Sequence, residues 1–379
     1  MGHKPLLHTL LASSLTAFIF FFSTQAHAGE CKIKDPEEAM LLDAVRMTVI
    51  FDLQMSKIAD EYKKETGKDL KVAFVARAGQ DLRNLKVLHD TDSSGRYMTQ
   101  ARMVETARQS TMPIGDGMMI DDASVKRTIE SMYWDKQKKV VYSHVGIALW
   151  NHPHGRDSED SSIRNWWFRH LLRPCADPNA KEERDYNVPL LWDEGPGRFF
   201  ADDPFELRAQ ILIPTPELQD QLEKMTLTNK TALAFNGKFY NAVAHWQNDH
   251  ETNSNQWVLE LLAAASQAPG RVTNRAEAQD ILEKTGYRPT RVLFYGKQTL
   301  LGLPFASKFV PYVRLHSKEQ PYAAGGINMG EVITALSLEE YLKKNGWLHN
   351  KTDILIQEKT KLSKPSSARD QNRHDPFSP

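Results

Sequence analysis

Two short segments carry residue types that together could make or break an acyl bond. The first, Tyr142-Ser143-His144-Val145-Gly146-Ile147-Ala148-Leu149, puts a histidine near the start of an apolar, strand-like run. The second, Gln247-Asn248-Asp249-His250-Glu251-Thr252-Asn253-Ser254-Asn255-Gln256-Trp257, is dense in polar groups and ends abruptly at an apolar helical run, Val258 to Ala265. A small nucleophile at a helix N-terminus feels a field that favours negative charge, and a strand imidazole can take its proton. Here the nucleophile would be Ser254 and the base His144. A serine hydroxyl titrates too high for the helix field alone to ionise it, so a general base within hydrogen-bond reach is essential. A third group would orient the ring. His170 is the first candidate, with Gln80 and Asp81 as alternatives. Gln80, Asp81, Tyr142, Asn253, Asn255, Gln256 and Trp257 complete a candidate ligand cleft. The plainer readings are a helix cap for Ser254, a buried ring satisfied by a backbone carbonyl for His144, and structural ties for the amides.

The elements that must position these groups follow from periodicity and breakers. Residues 36–66 read as one helix, opened by Asp35-Pro36-Glu37-Glu38 and closed by Gly67. Leu70 to Arg77, Tyr142 to Trp150 and Leu207 to Pro214 read as strands. In Arg164–Pro174, Trp166, Phe168, His170 and Leu172 share one face. The stretch from Cys175 to Arg198 reads as a long loop. Helices are expected from Pro216 to about Met225, over 255–267, over 275–285 and over 338–345, with strands at Val292–Tyr295 and Phe309–Leu315. Residues 86–140 are polar and Met-rich, with two helices, Arg96–Gln109 and Asp122–Lys136, and read as a helical insertion between two strands.

Composition narrows the function classes. Lys and Arg total 48, Asp and Glu total 48, so no basic excess points to nucleic acid or an anionic membrane. Lys4, the apolar run Leu10 to Phe22 and Ala26-His27-Ala28 read as a signal peptide over 1–28, giving an exported chain, periplasmic or secreted. No later run is long enough to span a bilayer. Cys31 and Cys175 are the only cysteines, and in an oxidising compartment they read as one disulfide. The domain is expected over 29–350, with a disordered tail over 351–379. His152, His154, His245, Asp249 and His250 are metal-ligand types, but in polar loops without tight helical spacing they read as solvated. No metal or cofactor is expected, and the glycine pairs fit no phosphate loop.

The ordered series Arg77-Ala78-Gly79-Gln80-Asp81-Leu82, Tyr142 to Gly146, Phe199-Phe200 with Asp202-Asp203-Pro204, Gln247-Asn248, Asn253 to Val258, and Ala278-Gln279 with Gly286-Tyr287-Arg288-Pro289 resembles the exported bacterial family of domain of unknown function 2145. The resemblance covers about residues 30 to 345. More distantly the pattern is similar to the circularly permuted papain-like fold of cell-wall peptidases and lecithin-retinol-acyltransferase-like proteins. There a strand histidine precedes, in sequence, a cysteine that starts a helix. His144 matches the histidine, and Ser254 stands where the cysteine would be. The resemblance implies an α+β fold, an antiparallel sheet with packed helices, permuted papain-like, carrying the helical insertion. Two functions follow: a non-catalytic envelope protein that binds a peptide or protein ligand in the old cleft, or an amide or ester hydrolase or acyltransferase on envelope peptides using Ser254 and His144.

Overall fold

Apolar strand residues and one very apolar helix set the architecture. The computed structural model describes residues 38–79, 82, 85–111, 121–150, 166–173, 188–201, 206–294, 327 and 329–355. The signal segment, Cys31, Cys175, Gln80, Asp81, His152, His154 and the expected strand at Phe309–Leu315 lie outside these residues.

In chain order the described elements begin with α1 (Glu38–Thr66), β1 (Val72–Ala78), β2 (Leu85–Val87), α2 (Gln100–Ser110) and α3 (Asp122–Tyr133). Then come β3 (His144–Trp150), β4 (Trp166–Leu172), β5 (Leu190–Glu194), α4 (Pro196–Ala201) and β6 (Glu206–Pro214). After them follow α5 (Pro216–Leu227), α6 (Asn229–Leu233), β7 (Phe239–Tyr240), β8 (Glu251–Thr252) and α7 (Ser254–Ala265). The last are α8 (Arg275–Lys284), β9 (Thr290–Phe294), β10 (Met329–Val332), α9 (Ala335–Lys344) and β11 (Leu348–Leu355).

Six strands pair antiparallel in the order β11-β6-β1-β3-β4-β5. The fold is therefore α+β with an antiparallel sheet. Both faces are covered. On one face α7 is buried along its whole length, packing Trp257, Val258, Leu261 and Leu262 against Phe74, Val145 and Ile147. A helix apolar all round belongs in a core. Each such buried side chain contributes about 1.5–3 kcal/mol, so α7 is the main anchor of this layer. On the other face α1 and α4 place Phe51, Met55, Phe199 and Phe200 over Ala73, Val75, Ala148 and Phe168. Gly67, at φ 71°, closes α1 in the left-handed region, where glycine is unstrained.

The segment read as an insertion is more integrated than its composition suggests. β2 pairs with β9, and β9 with β10, in a second antiparallel sheet. Helices α2 and α3, capped by Thr99 and Asp121, lay Met103, Val104, Val125 and Ile129 against Leu293 and Met329. Arg291 reaches from β9 to the Met98 carbonyl at 2.7 Å. Segment 86–140 thus shares a core with the C-terminal third. At the other end, β11 runs to Leu355 and pairs with β6, so the ordered chain reaches beyond residue 350, into the expected tail.

Because that core is shared, Met103→Ala is expected to lower the stability of the whole unit by about 2–5 kcal/mol. Met103 is fully buried. Chemical denaturation followed by tryptophan fluorescence and by circular dichroism should shift together. A variant with unchanged midpoints would mean the segment unfolds independently.

Candidate functional site

Three neighbouring strands carry the candidate site. Residues two apart on a strand share a face. Along β3, Val145, Ile147 and Leu149 enter the core beneath α7. His144, Gly146 and Ala148 face the other way, toward α4: Ala148 packs with Phe168 and Phe199, and the His144 ring centre lies 5.8 Å from that of Phe199. Arg77, opposite His144 in the β1–β3 register, sits over the same Phe199 ring at 5.4 Å.

His144 Nε2 lies 2.8 Å from His170 Nδ1, a hydrogen bond between β3 and β4. On the far side His170 Nε2 lies 2.8 Å from Glu194 Oε1 on β5, a close contact whose N–H is not well aligned with the oxygen. His144, His170 and Glu194 are 6%, 0% and 8% exposed, so the row is dry. Two adjacent acids on β5 divide between the two faces. Asp193 forks onto Arg169 at 2.6 and 2.8 Å, and Glu194, one residue on, turns to His170.

The row dictates a proton arrangement. Beside the Glu194 carboxylate, His170 carries its proton on Nε2, so its Nδ1 holds a lone pair. His144 then donates from Nε2 and keeps its own lone pair on Nδ1, an assignment made from the network. His144 Nδ1 makes no hydrogen bond, yet it is not among the side-chain atoms sealed from solvent without a partner. Burial holds the His144 pKa well below 6.5, and the Arg77 guanidinium and the His170 ring add to the effect. The ring is therefore neutral at pH 7 and a weak base.

Gly146 explains the His-x-Gly spacing. A Cβ there would meet Phe199 Cε2 at 2.9 Å and His170 Cβ at 3.3 Å. Only a residue without one lets the Phe199 ring close under both imidazoles.

Ser254 belongs to the opposite layer. It is the first residue of α7, and the cap is Asn253, whose side chain accepts from Gln256 N at 2.9 Å. Ser254 is thus not the cap residue. It is 3% exposed, and its Oγ makes one long hydrogen bond, 3.5 Å to Asn255 Oδ1, and none to His144. Asn255 Nδ2 ties the helix start to the carbonyls of Ser143 and Ile333, at 3.3 and 3.0 Å. Gln256 reaches the Trp246 carbonyl and Glu260, and Trp257 Nε1 donates to the Ala232 carbonyl at 3.0 Å. Tyr142 lies elsewhere, donating to Asp353 at 2.8 Å. Of the candidate site residues, then, the fold brings His144 and His170 together, uses Asn253, Asn255, Gln256 and Trp257 as ties around α7, and leaves Ser254 without a hydrogen bond to either ring.

Sequence reasoning missed Glu194 and Phe199, both inside or just past the stretch read as a loop. The signal was present: Leu190-Leu191-Trp192 is an apolar run between Pro189 and Gly195, followed by Phe199-Phe200. Among the described residues no three His, Cys, Asp or Glu side chains are placed to hold a metal ion. His250 is exposed beside Asp249, whereas His245 is mostly buried, 3.6 Å from Glu331.

Two outcomes are expected. A histidine kept neutral by the fold is protonated more readily in the unfolded chain, so the unfolded state binds the extra proton. Stability is then full above pH 6.5 and falls on acidification below it, by about 1.4 kcal/mol per pH unit, until the lowered pKa is reached. Denaturation between pH 7.5 and 5 should show this slope, and His144→Gln should reduce it by one proton; an unchanged slope in the variant would show that another group carries it. Separately, Gly146→Ala should destabilise by about 1–3 kcal/mol through overpacking, read as a lower thermal midpoint.

Residues 131–342, which include His144, His170, Glu194 and Ser254, match the family described as "Uncharacterized protein conserved in bacteria (DUF2145)". No curated protein and no solved structure matches the chain. More than half of the sequence lies within the match, and the protein belongs to the DUF2145 family.

Proposed function

We propose that this chain is an exported, non-catalytic binding protein of the cell envelope, built on a permuted papain-like plan, with a peptide or protein ligand. Export rests on the signal-like residues 1–28, Lys4 with the Leu10 to Phe22 run and Ala26-His27-Ala28. The observation that carries the non-catalytic reading is the separation of the would-be pair by the sheet. His144 faces α4 while Ser254 starts the helix on the other face, buried and with no hydrogen bond to the imidazole. A serine nucleophile needs its base in contact. A histidine whose pKa is pushed well down is also a poor general base at neutral pH.

One observation favours the second reading, an amide or ester hydrolase or acyltransferase on envelope peptides. The Glu194–His170–His144 row leaves a lone pair on His144 Nδ1 with no partner among the described residues. A carboxyl beside one imidazole, which hydrogen-bonds a second, is more order than a purely structural ring requires.

Ser254→Cys separates the two. In a non-catalytic protein the new thiol should alkylate with iodoacetamide only as pH approaches the ordinary cysteine value near 8.5. The rate is taken above that of the native chain, which carries Cys31 and Cys175. Rapid alkylation at about pH 5–6, abolished by His144→Gln, would establish a thiolate–imidazolium pair and overturn the non-catalytic reading.

A further inference from the structure

The six-stranded sheet has two borders of opposite character. A border strand offers a row of unpaired backbone N–H and C=O groups, and proteins that do not use the row blunt it with charge, bulges or proline. β11, at one border, carries such devices. Its register with β6 shifts between Leu348 and Asn350, and Asn350, Lys351, Thr352 and Asp353 make its middle polar and charged. β5, at the other border, pairs among the described strands with β4 alone, in an unbroken register from Leu190 to Glu194. Leu190-Leu191-Trp192 is apolar, with Leu190 43% exposed and Val188, just upstream, 38% exposed. The two acids stand together at the far end and are engaged within the sheet, Asp193 by Arg169 and Glu194 beside His170. Pro189 closes the near end, where its carbonyl accepts from Asn236 Nδ2 at 2.8 Å.

Size decides the occupant. Five residues of extended chain span about 17 Å. A stable dimer buries about 800 Å² on each partner, more than so short a border supplies. One added strand needs no more than this length, because its main chain makes the hydrogen bonds and its alternate side chains read the two faces. Leu190 and Trp192 point to one face of the sheet and Leu191 to the other, so apolar residues on either side of the newcomer meet apolar neighbours.

We propose that β5 is a docking edge for an extended, apolar peptide segment, which joins the sheet as a seventh strand beside Leu190 to Glu194. This deepens the peptide-ligand reading above and rests on it, yet the two fail separately. Rapid alkylation of the Ser254→Cys thiol would remove the non-catalytic reading and leave β5 untouched. An idle β5 would remove the docking edge and leave that reading in place.

The test uses the mature chain and a fluorescent probe, acetyl-Lys-Thr-Val-Leu-Val-Thr-Lys-amide, followed by anisotropy and by amide hydrogen exchange. Saturable binding is expected, with new protection at Leu190 to Glu194 and none at β11. Alternate N–H groups of a strand point the same way. N-methylation of one alternate set of probe residues should therefore weaken binding about tenfold or more, and methylation of the other set should change it little. Leu190→Lys, which gives β5 the kind of guard that β11 has, should cost about tenfold. If that variant does not fold, the methylated probes decide on the native chain. No saturation, protection elsewhere than β5, or equal weakening by both methylation patterns overturns the proposal. So does a concentration-dependent dimer that protects β5 without the probe, since a second copy would then be the occupant.

Discussion

The alternation of side chains along β3 is the constraint on which the candidate site depends. One strand has to serve two interiors. Val145, Ile147 and Leu149 complete the apolar core under α7, and His144, Gly146 and Ala148 must then face Phe199 and Phe168. A one-residue slip would exchange the two sets and turn the His144 imidazole into the apolar layer under α7. The long antiparallel ladder of β3 with β1, six residue pairs from Val72–Leu149 to Arg77–His144, holds the register against that exchange. The positions of His170 and Glu194 follow from the same rule carried across β4 and β5.

The polar stretch before α7, the most conspicuous feature of the sequence, is accounted for by burial. Glu260 lies nearly two turns inside the helix, fully buried, where Arg275 Nε meets it at 2.8 Å. Gln256 and Gln279 donate to the same carboxylate. Arg275 also holds the carbonyls of Asn248, Asp249 and Glu251. Burial raises the Glu260 pKa, while Arg275 and the two amides oppose it. A buried ion pair of this kind says little about net stability, but removing one partner strands the other. Its evident effect is geometric: it fixes the path of 248–256 against α7 and α8.

Elements with strong periodicity were legible. The strands at 72–78, 144–150 and 206–214 and the helices at 216–227 and 254–265 fall close to where apolar spacing and breakers place them. The α+β antiparallel class follows from them. The pairing of His144 with His170 was legible as a possibility, because both stand on strands read from alternation. Glu194 was not, because β5 is short, half-exposed and lacks an apolar–polar alternation. The reach of β11 was hidden for a related reason. Its residues, Leu348 to Leu355, are mostly polar, and only pairing with β6 makes them a strand. That α7 and His144 lie on opposite faces is a tertiary fact that no local pattern carries.

β5 is the outermost strand of the six on its side, hydrogen-bonded among the described strands to β4 alone. Such a border strand frays more readily than the interior ladders, since one set of ladder bonds rather than two restrains it. The carboxylate of the histidine row is therefore mounted on its least restrained member. In amide exchange the backbone of Leu191 to Glu194 would open at lower free energy than that of β1 or β3. Each such opening would leave the His144 and His170 rings facing one another without the Glu194 carboxyl, so the order of the row is only as persistent as the border of the sheet.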